Sequence, residues 1–328
     1  MKAIVYEDRC GADGLKINNV ENPAAHKNEI LVKVAATALN RADILQREGK
    51  YSPPQGASPI LGLEISGVVE EVGQDVTKWQ RGDKVFGLLP GGGYAEYAII
   101  HEDMAMKIPR SLNFWEAAAI PEVFLTAYQS LVWHSKLKAG ESVLIHAGAS
   151  GVGTAAIQIV KAIGATVFVT ASKEKHDACL GLGAVKAIDY KTENFPDKIK
   201  EYTGNKGVNV IIDFIAGPYF KKNIECLNED GRLIILASLG GGTVDEFDLR
   251  QILSKRISVI GSTLRSRSLD YQIRLTKDFS SYALDKFNTG KLRPVVGKIF
   301  KIEEAAEAHK YMEANKNSGK IVLKVNDL

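Results

Sequence analysis

One segment, from Val143 to Ile163, constrains the fold of this chain more than any other. It begins with a short apolar run, continues through the small-residue turn Ala147-Gly148-Ala149-Ser150-Gly151-Val152-Gly153, and ends in an apolar stretch with helical spacing. This order predicts a buried strand, a tight turn and a helix. In such an arrangement the backbone N–H groups and the positive end of the helix face an anion, and small side chains let a phosphate approach closely.

The glycine spacing of this turn is GxxGxG. Glycine alone would be weak evidence, because tight turns need it for conformational reasons. With a strand before it and a helix after it, the turn predicts a dinucleotide-binding site. The residues expected to contact the dinucleotide there are Gly148, Ser150, Gly151, Val152 and Gly153.

The end of the next predicted strand bears on the type of dinucleotide. About 20 residues after the turn, an acidic residue would accept hydrogen bonds from the ribose of NAD. Here the strand ends in Val169-Thr170-Ala171 and is followed by Ser172-Lys173-Glu174-Lys175. A hydroxyl and two lysines suit the additional phosphate of NADPH. We therefore predict NADPH as the cofactor, with Ser172 and Lys175 as phosphate ligands. The alternative is that Ser172 caps the following helix and the lysines are solvated.

Strand-like and helix-like segments alternate around the turn. Strands that are buried on both faces and separated by helices form a parallel, doubly wound sheet. We therefore predict an α/β chain in which residues 121–263 form a Rossmann dinucleotide-binding domain. The apolar runs lie at 142–146, 166–170, 208–214, 232–237 and 257–260, and the helical patterns at 152–163, 173–182 and 218–226.

The two ends of the chain have a different pattern. Before residue 121 the sequence is punctuated by glycine and proline, and its short strand-like runs predict a mostly β domain. After residue 264 the remaining tail is too short to form a domain of its own. We predict that residues 1–120 and 264–328 form one domain together. The runs lie at 2–6, 29–38, 64–72, 84–87 and 94–100, and the tail has helical patterns at 271–287 and 303–315 and a strand at 320–325.

Composition narrows the classes of function. The 328 residues carry a formal net charge of +3 without a long basic run, so we expect no nucleic-acid or anionic-membrane partner. No apolar run approaches the roughly 20 residues needed to span a bilayer, and the N-terminus turns acidic too early for a secretory signal. The three cysteines lie far apart and predict neither disulfides nor a metal site. We expect a cytoplasmic protein that acts on small molecules.

A set of short motifs extends over nearly the whole chain. It comprises Asn40-Arg41-Ala42-Asp43, Tyr51-Ser52-Pro53-Pro54, Leu61-Gly62-Leu63-Glu64-Ile65-Ser66-Gly67, Arg81-Gly82-Asp83-Lys84-Val85, His146 to Gly153, Leu264-Arg265-Ser266-Arg267 and Ala308-His309-Lys310-Tyr311-Met312-Glu313-Ala314-Asn315. Together these motifs resemble the medium-chain dehydrogenase/reductase superfamily in its zinc-free quinone oxidoreductase branch, and they look closest to the tumour-suppressor-inducible type.

The resemblance implies an architecture and an assembly. It implies a GroES-like, mostly β catalytic domain built from both chain ends, a Rossmann domain between them in sequence, and an active site in the cleft. It also implies a homodimer in which the Rossmann sheets join edge to edge. The segment from Arg256 to Ser262 would then be the edge strand, whose pairing with its own copy also protects the edge.

The resemblance also bears on metal. Zinc alcohol dehydrogenases of this superfamily have a cysteine ligand near the position of Asn40 and a histidine ligand within a Gly-His-Glu motif. This chain has Asn40 and Gly62-Leu63-Glu64 instead, and a lone Glu64 cannot supply the three protein ligands of a catalytic zinc. We predict no metal, and hence an acceptor that is already electron-poor.

Three hypotheses of function stay open at this stage. The first is NADPH-dependent reduction of a quinone, in which negative charge develops on a carbonyl oxygen that needs hydrogen-bond donors. The second is reduction of an alkenal or enone with the same cofactor. The third, from a different class, is a binding protein regulated by its nucleotide.

The resemblance implies site residues as well. Tyr51 would be an aromatic wall and hydroxyl donor beside the nicotinamide, or else a loop tyrosine packed before Pro53. Asn40 would be a cofactor or substrate ligand, and Asp43 would orient it or act as a helix N-terminal carboxylate. The further cofactor contacts implied are Tyr190, Ile215, Ser238, Leu239, Gly240, Leu264, Ser266 and Asn315. Apart from the resemblance, we expect Glu122 and Thr126 to face the cofactor cleft, and we prefer Thr126 as the ligand because a hydroxyl can serve a nicotinamide amide.

Overall fold

The computed structural model describes all 328 residues. We number its strands β1 to β15 in chain order. They are Lys2–Val5, Lys16–Asn19, Glu29–Ala38, Glu64–Val72, Lys84–Leu88, Tyr97–His101, Ala105–Lys107, Ser142–Ile145, Thr166–Ala171, Lys186–Asp189, Val208–Asp213, Leu227–Ile235, Ser258–Gly261, Val296–Lys301 and Lys320–Lys324.

The helices are numbered α1 to α10 in the same way. A π-helical turn, Gln129–His134, continues directly from α3. No helix combines the length and apolar character that crossing a membrane requires. The helices are Arg41–Arg47, Phe114–Ala118, Pro121–Tyr128, Gly151–Ile163, His176–Leu182, Phe195–Thr203, Gly217–Cys226, Arg250–Lys255, Leu269–Asn288 and Ala305–Glu313.

The chain divides into two compact units. The first comprises Met1–Leu125 and Arg265–Leu328, and the second Thr126–Leu264. The division falls inside α3, a helix that the sequence pattern did not reveal. For this reason the domain boundaries drawn from sequence, after residue 120 and before residue 264, differ from these by a few residues.

The second unit contains a six-stranded parallel sheet with strand order β10-β9-β8-β11-β12-β13. Its central strands β8 and β11 are almost entirely buried, because helices cover them and apolar residues fill both faces. This sheet confirms the predicted α/β class with a doubly wound, Rossmann-type sheet. It also places the carboxyl ends of β8, β9 and β11 side by side, which is where such sheets bind ligands.

The first unit contains a seven-stranded sheet of order β14-β15-β3-β4-β5-β7, with β6 also paired to β3, and a separate β1-β2 hairpin. The last strand, β15, pairs antiparallel with β3 near the start of the chain. The C-terminal tail therefore completes the sheet begun by the N-terminal segment. Its core joins apolar residues from both ends, among them Leu39, Leu61 and Leu323.

Several predicted boundaries were wrong, each for a local reason. The strand predicted at 94–100 begins at Tyr97, because the backbone of Tyr94 bonds to Ile4 and Leu61 instead of a neighbouring ladder. The strand predicted at 232–237 begins at Leu227 and contains a register shift. The edge strand predicted from Arg256 to Ser262 is only Ser258–Gly261, because Arg256 ends α8 with a left-handed backbone.

Candidate active site

The small-residue turn is held against the sheet by close backbone packing. Ser150 caps α4, and its Oγ accepts the N–H of Gly153 at 3.0 Å. A Cβ at Gly148 would lie 2.6 Å from the side chain of Val169, and one at Gly153 would lie 2.4 Å from the carbonyl oxygen of Ala147. The turn therefore excludes larger side chains at two of the predicted phosphate positions, as close approach to a pyrophosphate requires.

A buried polar network lies directly beneath this turn. The His146 side chain has no exposed surface, and its Nδ1 and Nε2 lie 3.0 Å from Thr170 Oγ1 and 2.7 Å from Asn223 Oδ1. Because an amide oxygen only accepts, Nε2 carries the hydrogen and Nδ1 accepts from Thr170. Burial lowers the pKa of His146, which favours this neutral form. Both ring nitrogens are thus occupied within the protein, and neither is left to contact a phosphate.

The same network reaches the loops after β11 and β12. Asn223 Nδ2 donates to Asp213 Oδ2 at 3.0 Å, and Asp213 Oδ1 accepts the N–H of Ile215 at 2.7 Å. The loops bond to each other, because Gly240 donates its N–H to the carbonyl of Ile215 at 3.0 Å. These bonds bring four of the predicted cofactor residues together at one end of the sheet. They are Ile215, Ser238, Leu239 and Gly240.

The two residues predicted to bind the additional phosphate follow β9, next to the end of β10. Ala171 at the end of β9 is in register with Asp189 at the end of β10, so Ser172 and Lys175 share this edge with Tyr190. Tyr190 is 48% exposed and available to a ligand. Burial lowers the pKa of Lys175, and the charge of Glu174 opposes that effect.

A second lysine at this edge was missed by the sequence analysis. Lys191 Nζ lies 3.9 Å from Glu174 Oε1, and its charge acts on Lys175 as well. A hydrogen bond with Ser172 lowers the pKa of the exposed Glu174 carboxyl. A phosphate here would meet two lysines, a hydroxyl and one carboxylate. Only the pairing of β9 with β10 reveals the position of Lys191, because it is distant from Lys175 in sequence.

Two further cofactor residues predicted for the second unit are a buried leucine and a half-buried threonine. Leu264 is 6% exposed. The Oγ1 atom of Thr126 is buried and has no hydrogen-bond partner in the protein. Since buried hydroxyls are nearly always bonded, this atom fits a partner outside the chain, such as the carboxamide of a nicotinamide. This hydroxyl, the turn and the lysine edge together fit a nicotinamide dinucleotide.

In the first unit, Asn40 belongs to a buried charged cluster. Its Nδ2 donates to Glu64 Oε1 at 2.8 Å, and its Oδ1 accepts from Lys320 Nζ at 2.7 Å. Lys320 Nζ also lies 2.7 Å from Glu64 Oε1, and the two side chains are 4% and 0% exposed. The amide of Asn40 is therefore fully engaged by the protein. Nothing in the sequence identified Lys320 as the partner of Glu64, because the two residues are far apart in the chain and come together only when the sheet is assembled.

Asp43 fixes the turn that precedes α1. Its carboxylate accepts the N–H of Asn40 at 2.7 Å and of Gly62 at 3.1 Å. Burial raises the pKa of Asp43 to about 6, although both hydrogen bonds oppose this shift. Asp43 thus orients the backbone of Asn40 and also stands at a helix N-terminus, so the two functions considered for it coincide.

A hydrogen-bonded chain lies behind Asp43. Arg47 Nη1 lies 3.0 Å from His309 Nδ1, His309 Nε2 lies 3.2 Å from the Tyr94 hydroxyl, and that hydroxyl donates to Asp43 Oδ2 at 3.4 Å. Burial, followed by the charge of Arg47, lowers the pKa of His309 to about 3. A guanidinium only donates, so Nδ1 accepts and Nε2 donates. The histidine is therefore neutral and structural.

Tyr51 lies against an arginine that was not predicted as a site residue. The Cζ atom of Arg265 is 5.5 Å from the centroid of the Tyr51 ring, within range of a cation–π contact. Arg265 is 5% exposed, and its Nε and Nη2 donate to the carbonyl of Pro90 at 2.9 and 2.7 Å. Its Nη1 is buried without a partner. The motif containing Arg265 was noticed in the sequence, but its pairing with Tyr51 depends on the fold.

The remaining predicted residues of the first unit are exposed. Asn315 follows α10 in a left-handed backbone conformation, and its Oδ1 accepts from Arg41 Nη2 at 3.0 Å. Ser266 lies beside Arg265 at the surface. The structure contains no group of three or more His, Cys, Asp or Glu side chains that could hold a metal ion.

The charged cluster leads to a prediction of stability. In Lys320→Met, the buried Glu64 carboxylate loses its cation, so we expect the free energy of unfolding to fall by about 3 to 5 kcal/mol. Adding Glu64→Gln should recover part of this loss, because the uncompensated charge is then removed. Urea unfolding of the single and double variants measures both effects.

The matched control is Lys324→Met on the same strand. Lys324 is partly exposed, forms an ion pair with the exposed Asp327 and lies over the Trp115 ring, so its loss should cost about 1 kcal/mol or less. Equal destabilisation by the two lysine variants would contradict the importance assigned to the buried pair.

Comparisons with known proteins identify the family. The model of the alcohol dehydrogenase GroES-like domain matches residues 26–110, and the model of zinc-binding dehydrogenases matches residues 151–280. The quinone oxidoreductase of Homo sapiens is 34% identical over 330 residues, which cover 98% of this chain and 97% of that protein.

Solved structures show the same relationship. The quinone oxidoreductase of Escherichia coli, complexed with NADPH, has a TM-score of 0.89 and 27% identity, covering 99% of this chain and 100% of that chain. CurK enoyl reductase has a TM-score of 0.88 and 30% identity, covering 99% of each chain. The chain therefore belongs to the quinone oxidoreductase branch of the medium-chain dehydrogenase/reductase superfamily and is an oxidoreductase of the quinone or enoyl reductase type.

Proposed function

We propose that this enzyme reduces quinones with NADPH and without a metal ion. The observation that carries the proposal is the engagement of Glu64. Its Oε1 is bonded to Lys320 and Asn40, and its Oε2 accepts the N–H of Glu122 at 2.9 Å. The chain thus has the small-residue turn that would bind a dinucleotide, but no free set of metal ligands. A site of this kind needs an acceptor that takes a hydride without help from a Lewis acid.

The second unit would hold the cofactor. The N-terminus of α4 and the turn before it would bind the pyrophosphate, and Thr126 Oγ1 would bind the carboxamide. Ser172, Lys175 and Lys191 would bind the additional phosphate. Bound NADPH would supply a hydride and its electron pair from the nicotinamide ring. The NADPH in the Escherichia coli relative supports this choice of cofactor.

The acceptor would be positioned by residues of the first unit. Negative charge develops on a carbonyl oxygen as the acceptor is reduced, and fixed donors stabilise it. The Tyr51 hydroxyl would donate to that oxygen, with the positive charge of Arg265 beside the same ring. Asn40 and Asp43 would not contact the acceptor. They would support the site indirectly, because their side chains are engaged in holding the start of α1.

A second substrate class is favoured by one comparison. CurK, with a TM-score of 0.88, is an enoyl reductase, and an enone places charge on a carbonyl oxygen just as a quinone does. We therefore keep alkenals and enones as the alternative acceptors.

The wild-type enzyme tests the choice of acceptor, and Tyr51→Phe tests the function of the tyrosine. We expect an ortho-naphthoquinone to be turned over faster than a 2-alkenal by the wild-type enzyme, followed as loss of NADPH absorbance. Removing the hydroxyl should lower kcat/KM about tenfold, since one hydrogen bond to a developing charge is lost. Tyr282→Phe, a hydroxyl on α9 outside the proposed site, is the control. A faster alkenal reaction would favour the alternative, and unchanged kinetics in Tyr51→Phe would remove Tyr51 from the site.

Cofactor preference gives a separate prediction. In the double variant Lys175→Ala/Lys191→Ala, the phosphate loses both ammonium groups, so the Kd of NADPH should rise about tenfold or more while that of NADH changes little. Fluorescence titration of the reduced cofactors measures both values. Lys173→Ala, an exposed neighbour, serves as the control. Tighter binding of NADH than NADPH by the wild-type protein would contradict the assignment.

We also propose that the enzyme is a homodimer formed through β13. This strand is the edge of its sheet, and Leu249 and Leu253 of the adjoining segment are 71% and 77% exposed. A second copy paired along β13 would cover this edge. Sedimentation should show a dimer that Val259→Asp on β13 dissociates, whereas Val185→Asp, near the opposite edge of the sheet, should not. A monomeric wild-type protein would contradict this proposal.

A further inference from the structure

The first turns of α3 carry two unusual polar groups. Glu122 and Thr126 lie four residues apart, one turn apart on the same face of the helix. The Oε2 atom of Glu122 and the Oγ1 atom of Thr126 are both buried and have no hydrogen-bond partner. Buried polar atoms without partners are rare in folded proteins. This face of α3 therefore has two buried oxygen atoms that find no partner within the chain.

Glu122 is held in place by the charged cluster of the first unit. Its N–H donates to Glu64 Oε2 at 2.9 Å, which fixes the start of α3 next to that carboxylate. The carboxyl group itself is placed so that Oε2 is buried while the residue remains partly exposed. Glu122 therefore has one oxygen that is free to bond to a ligand, on a residue that is not fully enclosed.

The surroundings of Glu122 favour its protonated form. Burial and then the like charge of Glu64 raise its pKa to about 7; the charge of Asp43 adds to this shift, while Lys320 and Arg265 oppose it. Tyr51, whose hydroxyl is neutral at this pH, is near enough that the charge of Glu122 raises the pKa of Tyr51, after the larger effect of burial. Glu122 can thus hold a proton at neutral pH, as an exposed glutamate cannot.

We propose that Glu122 is the proton donor of the reaction, with its buried Oε2 directed at the acceptor that Tyr51 and Arg265 position. The proposal rests on the proposed function and extends it by naming the source of the proton. From sequence, Thr126 was preferred to Glu122 as a cofactor ligand. In the structure each residue has a buried oxygen without a partner, but only Glu122 has a carboxyl group that can give up a proton.

The step balances in electrons and protons. The acceptor gains a hydride with its electron pair, is reduced by two electrons, and carries negative charge on a carbonyl oxygen. The O–H bond of Glu122 breaks, and a new O–H bond forms at that oxygen. Glu122 remains as a carboxylate and regains a proton from solvent. Each cycle therefore consumes one NADPH, one acceptor and one proton from solution.

The test compares Glu122→Gln with Glu71→Gln, which removes the same charge from an exposed strand end. We expect Glu122→Gln to lower kcat for a quinone about 10- to 100-fold, the lower part of the range for general acids, with a smaller change in KM. Glu71→Gln should match the wild type.

The pH profile gives a second readout. A donor must be protonated, so wild-type kcat should fall as pH rises through about 7. This fall should disappear in Glu122→Gln and return in Glu122→Asp.

A second measurement does not depend on turnover. Infrared spectra of the ligand-free protein should contain two carboxylic acid bands that titrate, one near pH 6 from Asp43 and one near pH 7 from Glu122, and only the second should be missing in Glu122→Gln. In Glu64→Gln the like charge is lost and Lys320 is left unpaired, so both effects should move the second titration to lower pH. The absence of the band that titrates near pH 7 in the wild type would overturn the proposal, even if the variants fold poorly.

The outcomes separate this proposal from the one on which it rests. If the wild-type enzyme oxidises NADPH with neither quinones nor enones, the proposed function fails, and the infrared titration still reports on Glu122. If the wild type is active and Glu122→Gln has the same kcat and pH profile, the function stands and the assignment of Glu122 is wrong.

Discussion

The first unit depends on neutralising one buried carboxylate. Glu64 lies in the middle of a sheet with no access to water, where an unpaired charge would be very costly. Lys320, near the other end of the chain, supplies the cation. The same carboxylate receives the side chain of Asn40 and the backbone of Glu122, so the starts of α1 and α3 are fixed by this single pair. The pair therefore fixes Asn40 and Glu122, two residues of the proposed site.

In the second unit, the strand ends near the turn are held together through a neutral histidine instead of a buried ion pair. Strands β8, β9 and β11 end next to one another, and neutral His146 joins their ends through Thr170 and Asn223. The imidazole is neutral, and the positive end of α4 at the turn suits a pyrophosphate.

What the sequence could predict follows from the range of the interactions involved. The turn from Gly148 to Gly153 was predictable, because strand, cap and helix are contiguous and each has a local signature. Contacts between distant residues were not predictable, because the assembled fold decides which of them meet. Examples are the ion pair of Lys320 with Glu64, the contact of Arg265 with Tyr51, and the proximity of Lys191 to Lys175. His146 could be noticed but not assigned, since its partners lie on other elements. Short helices such as α3 were missed because they span too few turns to show a period.

The most direct test of the account is quinone reduction by enzyme that has been treated with a strong chelator and freed of metal. We predict that NADPH oxidation with an ortho-naphthoquinone proceeds at the rate of the untreated enzyme, because Glu64 is satisfied by Lys320 and Asn40 and the proposed reaction uses no metal. Loss of activity on chelation, restored by added zinc, would contradict it.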